Sequence, residues 1–170
     1  MGDTVSAPYF NARQITISHM GNNGLVIKNR TGVNNHFCNL DYVYVVANGN
    51  VGFYLRGATP SSNAGSARMV IAKENGSTGI YVSGVKSWQW DAITASYNGT
   101  KGTAPGMRFD DGAMYHIVMN GNFEGNNASG GQVEFKAASE ANAFIRFGLR
   151  PDEVQNLGVN NRIVLSPTDW

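Results

Sequence analysis

Three stretches of the chain, Tyr42–Gly57, Met69–Gly84 and Val133–Gly148, repeat one pattern: an apolar strand, a turn rich in Gly, Asn and Ser, and a second strand closing on glycine. The second arms, GFYLRG, GIYVSG and AFIRFG, superpose without gaps at offsets of 27 and 64 residues, and the first arms, YVYVVA, MVIAKE and VEFKAA, follow at the same offsets. Recurrence of one supersecondary unit points to modular β architecture, in which a single piece is reused and stacked. Each unit reads as an antiparallel hairpin. Asn48-Gly49 between two β-rich runs predicts a two-residue type I′ turn with both residues at positive φ. A chain of this kind is expected to present a surface rather than enclose a catalytic pocket.

Composition supports an all-β chain. Glycine (21) and asparagine (20) dominate the small and polar residues, and both suit the left-handed positions that frequent reversals demand. Hydrophobic residues make up 42% of the chain, enough for a core and against disorder. Net charge is +1 and the Lys and Arg residues are scattered singly, so a nucleic-acid partner is not expected. No stretch reaches the roughly 18 apolar residues of a membrane-spanning helix, and no membrane insertion is expected. Cys38 is alone, which excludes an internal disulfide and reads as a strand residue. The matches to the glycosylation pattern, such as Asn75-Gly76-Ser77, arise by chance in so Asn-rich a sequence.

Along the chain, residues 1–13 read as a flexible lead-in and 14–170 as one β-rich domain containing the repeats 42–57, 69–84 and 133–148. Gln14–Ser18 alternates polar and apolar residues, as a half-buried strand does. Tyr42–Val46 and Met69–Ala72 are apolar on both faces, so their outer faces call for a partner. Lys86–Ile93 alternates cleanly, with Trp88 and Trp90 on one face. Only Leu149–Val159 has helix-start chemistry, Pro151 followed by Asp152 and Glu153, and it predicts one or two helical turns. The expected fold is therefore all-β, with repeated antiparallel hairpins in a sandwich-like or intertwined trimeric fibre arrangement.

The order Ser66–Ile71, Asn-Gly turn, Gly-Ile-Tyr-Val arm, glycine and then Trp88-Gln89-Trp90 resembles the repeating β-segments of bacteriophage tail-fibre and tailspike proteins. The run Tyr115–Phe123, with its Asn120-Gly121-Asn122 turn, is similar to them as well. The likeness extends over about Leu25 to Gly148 and its motifs are degenerate. It implies a homotrimer located in the virion, outside the cell, that binds a bacterial surface polysaccharide or lipopolysaccharide, or an outer-membrane protein, during host adsorption. The alternatives are a monomeric carbohydrate-binding β-sandwich and a polysaccharide depolymerase fragment.

Candidate ligand-binding residues are Trp88, Trp90, Tyr97, Asp110 and Asp111. The two tryptophans, about 7 Å apart along a strand, suit stacking on successive sugar rings, or else belong to the core or a trimer interface. Tyr97 lies on the glycine-rich segment Ser96–Gly106, a long connection of the sort that carries function. Asp110-Asp111-Gly112 has the residues for one half of a glycosidase carboxylate pair, with Asp91 or Glu124 as the other half. It also has the residues of an ordinary turn, in which Asp bonds its own backbone. No catalytic residue is assigned. His19, His36 and His116 show no metal-ligand spacing, and nothing in the sequence calls for a metal or a cofactor.

Overall fold

The computed structural model describes residues 10–28, 38–110, 112–129, 131–147, 149 and 151–164. Its strands are β1 (Phe10–Ser18), β2 (Leu25–Lys28), β3 (Cys38–Val46), β4 (Phe53–Lys73), β5 (Ile80–Ser96), β6 (Met107–Asp110), β7 (Ile117–Glu124), β8 (Val133–Phe135), β9 (Ala143–Phe147), β10 (Val154–Asn156) and β11 (Arg162–Val164). One 3-10 turn, Pro151–Glu153, occupies part of the stretch expected to be helical. The chain is all-β, as anticipated. Every strand pairing among the described residues is parallel, however, and the expected antiparallel hairpins and sandwich are replaced by a β-solenoid.

Two parallel sheets run the length of the solenoid. Sheet one stacks β1, β3, the second half of β4, the second half of β5, β7, β9 and β11, with Phe10 beside Cys38, Cys38 beside Gly65 and Gly65 beside Trp88. Sheet two stacks β2, the first halves of β4 and β5, β6, β8 and β10, with Leu25 beside Phe53, Phe53 beside Ile80 and Ile80 beside Met107. Successive turns lie about 4.8 Å apart, the ordinary spacing of hydrogen-bonded strands. β1 takes in Phe10–Arg13, residues that the sequence grouped with the lead-in.

The apparent hairpins are bends in this coil. In Tyr42–Gly57 and Met69–Gly84 the first arm lies in sheet one and the second in sheet two, and the 27-residue offset is the true register, pairing Val43 with Val70 and Phe53 with Ile80. The third repeat is out of phase. Val133 belongs to sheet two and Ala143 to sheet one, so the 64-residue offset superposes strands from different sheets. Gly148 lies outside the described residues. Nor does a type I′ turn form at Asn48-Gly49: the left-handed residue at that bend is Ala47, at φ 53°.

Between sheets one and two, five bends each pass through one left-handed residue: His19, Ala47, Glu74, Tyr97 and Gly125 occupy equivalent places. The asparagine that follows is buried and polymerises along the axis. Asn48 Nδ2 donates to Asn75 Oδ1, Asn75 Nδ2 to Asn98 Oδ1 and Asn98 Nδ2 to Asn126 Oδ1, each at 2.9 Å. The same oxygens accept the backbone N–H groups of Asn48, Asn75 and Asn98 at 3.0–3.1 Å. The remaining amide protons go to the carbonyls of Val45, Ala72 and Ala95 in the neighbouring turn. A buried amide is tolerated only when its donors and acceptors are met, and stacking meets them with copies of itself.

The core fills with rows of like residues, including Leu40, Ala67, Trp90, Val118 and Phe144 from sheet one and Phe53, Ile80, Met107 and Val133 from sheet two. Trp90 packs on Phe53 at 5.7 Å between ring centroids, and Phe109 stacks on Phe135 at 5.0 Å. Gly65 makes room for its neighbour, since a Cβ there would lie 2.5 Å from the Trp88 ring.

Candidate functional site

In five strands of sheet one, β1, β3, β4, β5 and β7, one residue within the strand adopts the left-handed conformation: Gln14, Tyr42, Met69, Ala92 and Asn120, at φ between 53° and 58°. This breaks the two-residue alternation and turns two consecutive side chains outward, for example Asp41 and Tyr42. The outer face therefore carries four rows along the axis rather than the three that strict alternation would give.

The first row is Asn11, Asn39, Ser66 and Gln89. Asn39 Nδ2 donates to Asn11 Oδ1 at 3.0 Å, and Ser66 Oγ donates to Asn39 Oδ1 at 2.8 Å. The second row is Arg13, Asp41, Arg68 and Asp91, a ladder of alternating charge. Both guanidinium groups close on Asp41, Arg13 through Nη2 at 3.1 Å and Arg68 through Nε at 3.0 Å. The hydrogen bond from Arg68, and then that from Arg13, holds the Asp41 carboxyl below the usual carboxylate range. Asp91 accepts from Asn120 Nδ2 at 2.8 Å. These two rows line a groove of about 450 Å³ that crosses several turns.

Rows three and four bring Tyr42, Met69 and Ala92, then Thr16, Tyr44, Ile71 and Thr94. Tyr42 is 46% exposed and Tyr44 37%, with Met69 and Ile71 beside them. Two further hollows, of about 310 and 370 Å³, open among these residues. The face thus combines aromatic and aliphatic plates with rows of amide, hydroxyl and paired ionic groups. The sequence had marked Tyr42–Val46 and Met69–Ala72 as two-faced, and their inner residues Val43, Val45, Val70 and Ala72 are indeed buried. It missed Tyr42 and Tyr44 as site residues because it assigned the outer side to a protein partner.

The anticipated site residues are not brought together. Trp88 and Trp90 are core residues, 2% and 0% exposed, with no ring face open to a ligand. Tyr97 is exposed at the bend between the sheets, its ring over Gly125 and 5.7 Å from the Lys73 ammonium. The Ser96–Gly106 segment is pinned rather than free: Gly99 N donates to Asn75 O, Lys101 N to Gly76 O and Ala104 N to Asn127 O. Asp110 lies at the end of β6 in sheet two and accepts from Tyr81 Oη at 3.2 Å. Asp111 lies outside the described residues.

Reactive groups elsewhere are muted. Burial pushes the Cys38 thiol up to about 12, far from the thiolate form that a nucleophile needs. His116 is wholly enclosed, and burial lowers it to about 4 against the raising effect of the Val85 carbonyl. Its Nε2 lies 3.0 Å from that carbonyl, and Nδ1 faces Trp90 Nε1 at 3.5 Å. Donation from Nε2 and acceptance at Nδ1 fit the neutral ring. Among the described residues, no group of three or more His, Cys, Asp or Glu is placed to hold a metal ion.

No family model matches this sequence, and no curated protein does. Among solved structures, the A-module of the mannuronan C-5 epimerase AlgE6 of Azotobacter vinelandii is similar in fold, with a TM-score of 0.66 at 15% sequence identity. The match covers 94% of this chain and 50% of that one, so this chain spans about half the length of its structural neighbour. At that identity the likeness establishes the parallel β-solenoid and nothing finer.

Proposed function

We propose that this chain is a polysaccharide-binding β-solenoid, a segment of a phage tail fibre or tailspike that grips a bacterial surface glycan without cleaving it. The observation that carries the reading is the outer face of sheet one, where exposed Tyr42 and Tyr44 stand beside polar rows that recur from turn to turn. An extended glycan repeats along its length, and a solenoid repeats its side chains along its axis. Sugar C–H faces stack on tyrosine rings while hydroxyls exchange hydrogen bonds with Asn39, Ser66 and Gln89. The fold shared with a polysaccharide epimerase module is consistent with a carbohydrate ligand, and the sequence resemblance to tail-fibre segments supports the host-adsorption role and the homotrimer. Three shallow sites on one particle would raise avidity without new contacts.

The test is binding of the purified protein to polysaccharide isolated from bacterial surfaces, with particle mass measured by light scattering. Saturable binding with unchanged polymer length supports the reading. Release of reducing ends, or a change in sugar configuration, would instead make the chain a polysaccharide-modifying enzyme. Absence of binding across capsule and lipopolysaccharide preparations would overturn it.

A further inference from the structure

We propose that the groove on the outer face of sheet one selects an uncharged, hydroxyl-rich glycan and discriminates against polyuronates and other polyanions. This rests on the glycan reading of that face and names the class of ligand.

The charge ladder is closed on itself. Arg13 donates to Asp41 Oδ2 through Nε at 3.2 Å and Nη2 at 3.1 Å. Arg68 donates through Nε to Asp41 Oδ1 at 3.0 Å and through Nη2 to Oδ2 at 3.3 Å. Asp91 stands next in register to Arg68. The groove is thus lined by two guanidinium groups and two carboxylates, with no net charge and no unpaired cation among the lining residues.

A polyuronate carries a carboxylate on every sugar. To pair with one, Arg13 or Arg68 would have to give up part of its charge interaction with Asp41, and the incoming anion would then face Asp41 and Asp91 at close range. Like charges so placed repel, and the exchange trades one ion pair for another.

A neutral sugar meets no such barrier. Hydroxyls both donate and accept, as do the amides and hydroxyl of Asn11, Asn39, Ser66 and Gln89. Asn11, Asn39 and Ser66 are linked in a chain, while the Gln89 side chain makes no hydrogen bond among the described residues and its amide is open to a ligand. Guanidinium N–H groups not taken by Asp41 serve hydroxyl oxygens equally well. The neighbouring Tyr42 and Tyr44 favour the C–H faces of sugar rings over hydrated carboxylates.

The experiment compares binding of the intact chain to neutral galactomannan and a panel of uncharged bacterial O-polysaccharides with binding to polymannuronate and polygalacturonate. It is repeated at about 0.01 M and about 0.1 M salt, over which the screening length falls from about 30 to about 10 Å. The expected result is that the tightest ligand is uncharged and its affinity changes less than about twofold with salt. The variant Asp41→Asn/Asp91→Asn, which frees both guanidinium groups, is expected to gain polyuronate binding by about tenfold at low salt and to lose that gain at high salt. Polyuronate preferred by the unmodified chain, with affinity falling as salt rises, would overturn the selectivity and leave the glycan site standing. A variant that gains nothing would also overturn it. Failure of the unmodified chain to bind any of the glycans would instead remove the site itself.

Discussion

Asn75 ties three successive turns of the coil together. Its oxygen accepts from the Asn48 amide and backbone, and its nitrogen donates to Asn98 and to Val45. Asn75→Ala removes one hydrogen-bond partner from each of four groups, of which Asn98 Oδ1 keeps the residue-75 N–H and Asn48 Nδ2 keeps the Ile17 carbonyl, and it is expected to destabilise by about 3 kcal/mol or more, since each polar group left unpaired costs about 1–3 kcal/mol. Urea unfolding would check this: the midpoint should fall with the slope unchanged. His116 couples stability to pH just below neutrality. Its folded pKa is about 4 against an ordinary 6.5, so the unfolded chain binds the proton more readily. The stability from its neutral form is fully present above pH 6.5 and is lost as pH falls towards about 4. The loss is on the order of 3 kcal/mol. His116→Gln should flatten that slope of stability against pH between about 6.5 and 4. An equal slope in the variant would place the titration elsewhere. Neither role was legible from the sequence. An asparagine before glycine has the same letters in a hairpin as in a ladder, and the burial of His116 follows from the turns above and below it.

At the scale of the strand, the left-handed positions decide the shape. One set opens the outer face of sheet one, one bends the chain into sheet two, and a third, Ser87, Tyr115, Ala141 and Asn160, leads back into sheet one. An L-residue there costs about 1–2 kcal/mol, most for a β-branched side chain. Ser87 is exposed, so Ser87→Val tests backbone strain without altering the core. It should lower stability by about 1–3 kcal/mol, whereas Ser87→Gly should cost less than 1 kcal/mol, roughly. Thermal unfolding of the two side by side would show it; equal melting points would mean that the strain is not felt. The 27-residue offset between Tyr42–Gly57 and Met69–Gly84 was readable in the sequence and is the true register between those two turns of the solenoid. What hid the fold was turn chemistry. Asn-Gly marks a hairpin reversal and a bend from one sheet into the next alike, and only the pairing partner tells them apart. The surer signal is Gly-x-x-Gly and an apolar residue, which recurs at Gly21, Gly49 and Gly76 and always ends on the first residue of a sheet-two strand.

For the whole molecule, a coil of parallel turns converts sequence repetition into rows, and rows into an extended surface. The tryptophans, which the sequence offers either as a sugar platform or as core, are the packing of that coil, because alternation alone does not say which side is in. The outer face of sheet one carries the functional argument, and its rows supply the substitutions that test it. Tyr42 shares a row with Asn120, and Tyr44 shares one with Thr94, so Tyr42→Asn/Tyr44→Thr introduces residues that the same backbone positions already accept. The most direct measurement is the binding isotherm of this double variant for a surface polysaccharide that the unmodified chain binds, beside that of Tyr97→Ser. A loss of about tenfold or more is expected for the tyrosine pair, on the scale of the roughly 1 kcal/mol that each aromatic contact contributes beyond its area, with Tyr97→Ser unchanged. Unaltered binding by a folded Tyr42→Asn/Tyr44→Thr protein would contradict the glycan reading of this face.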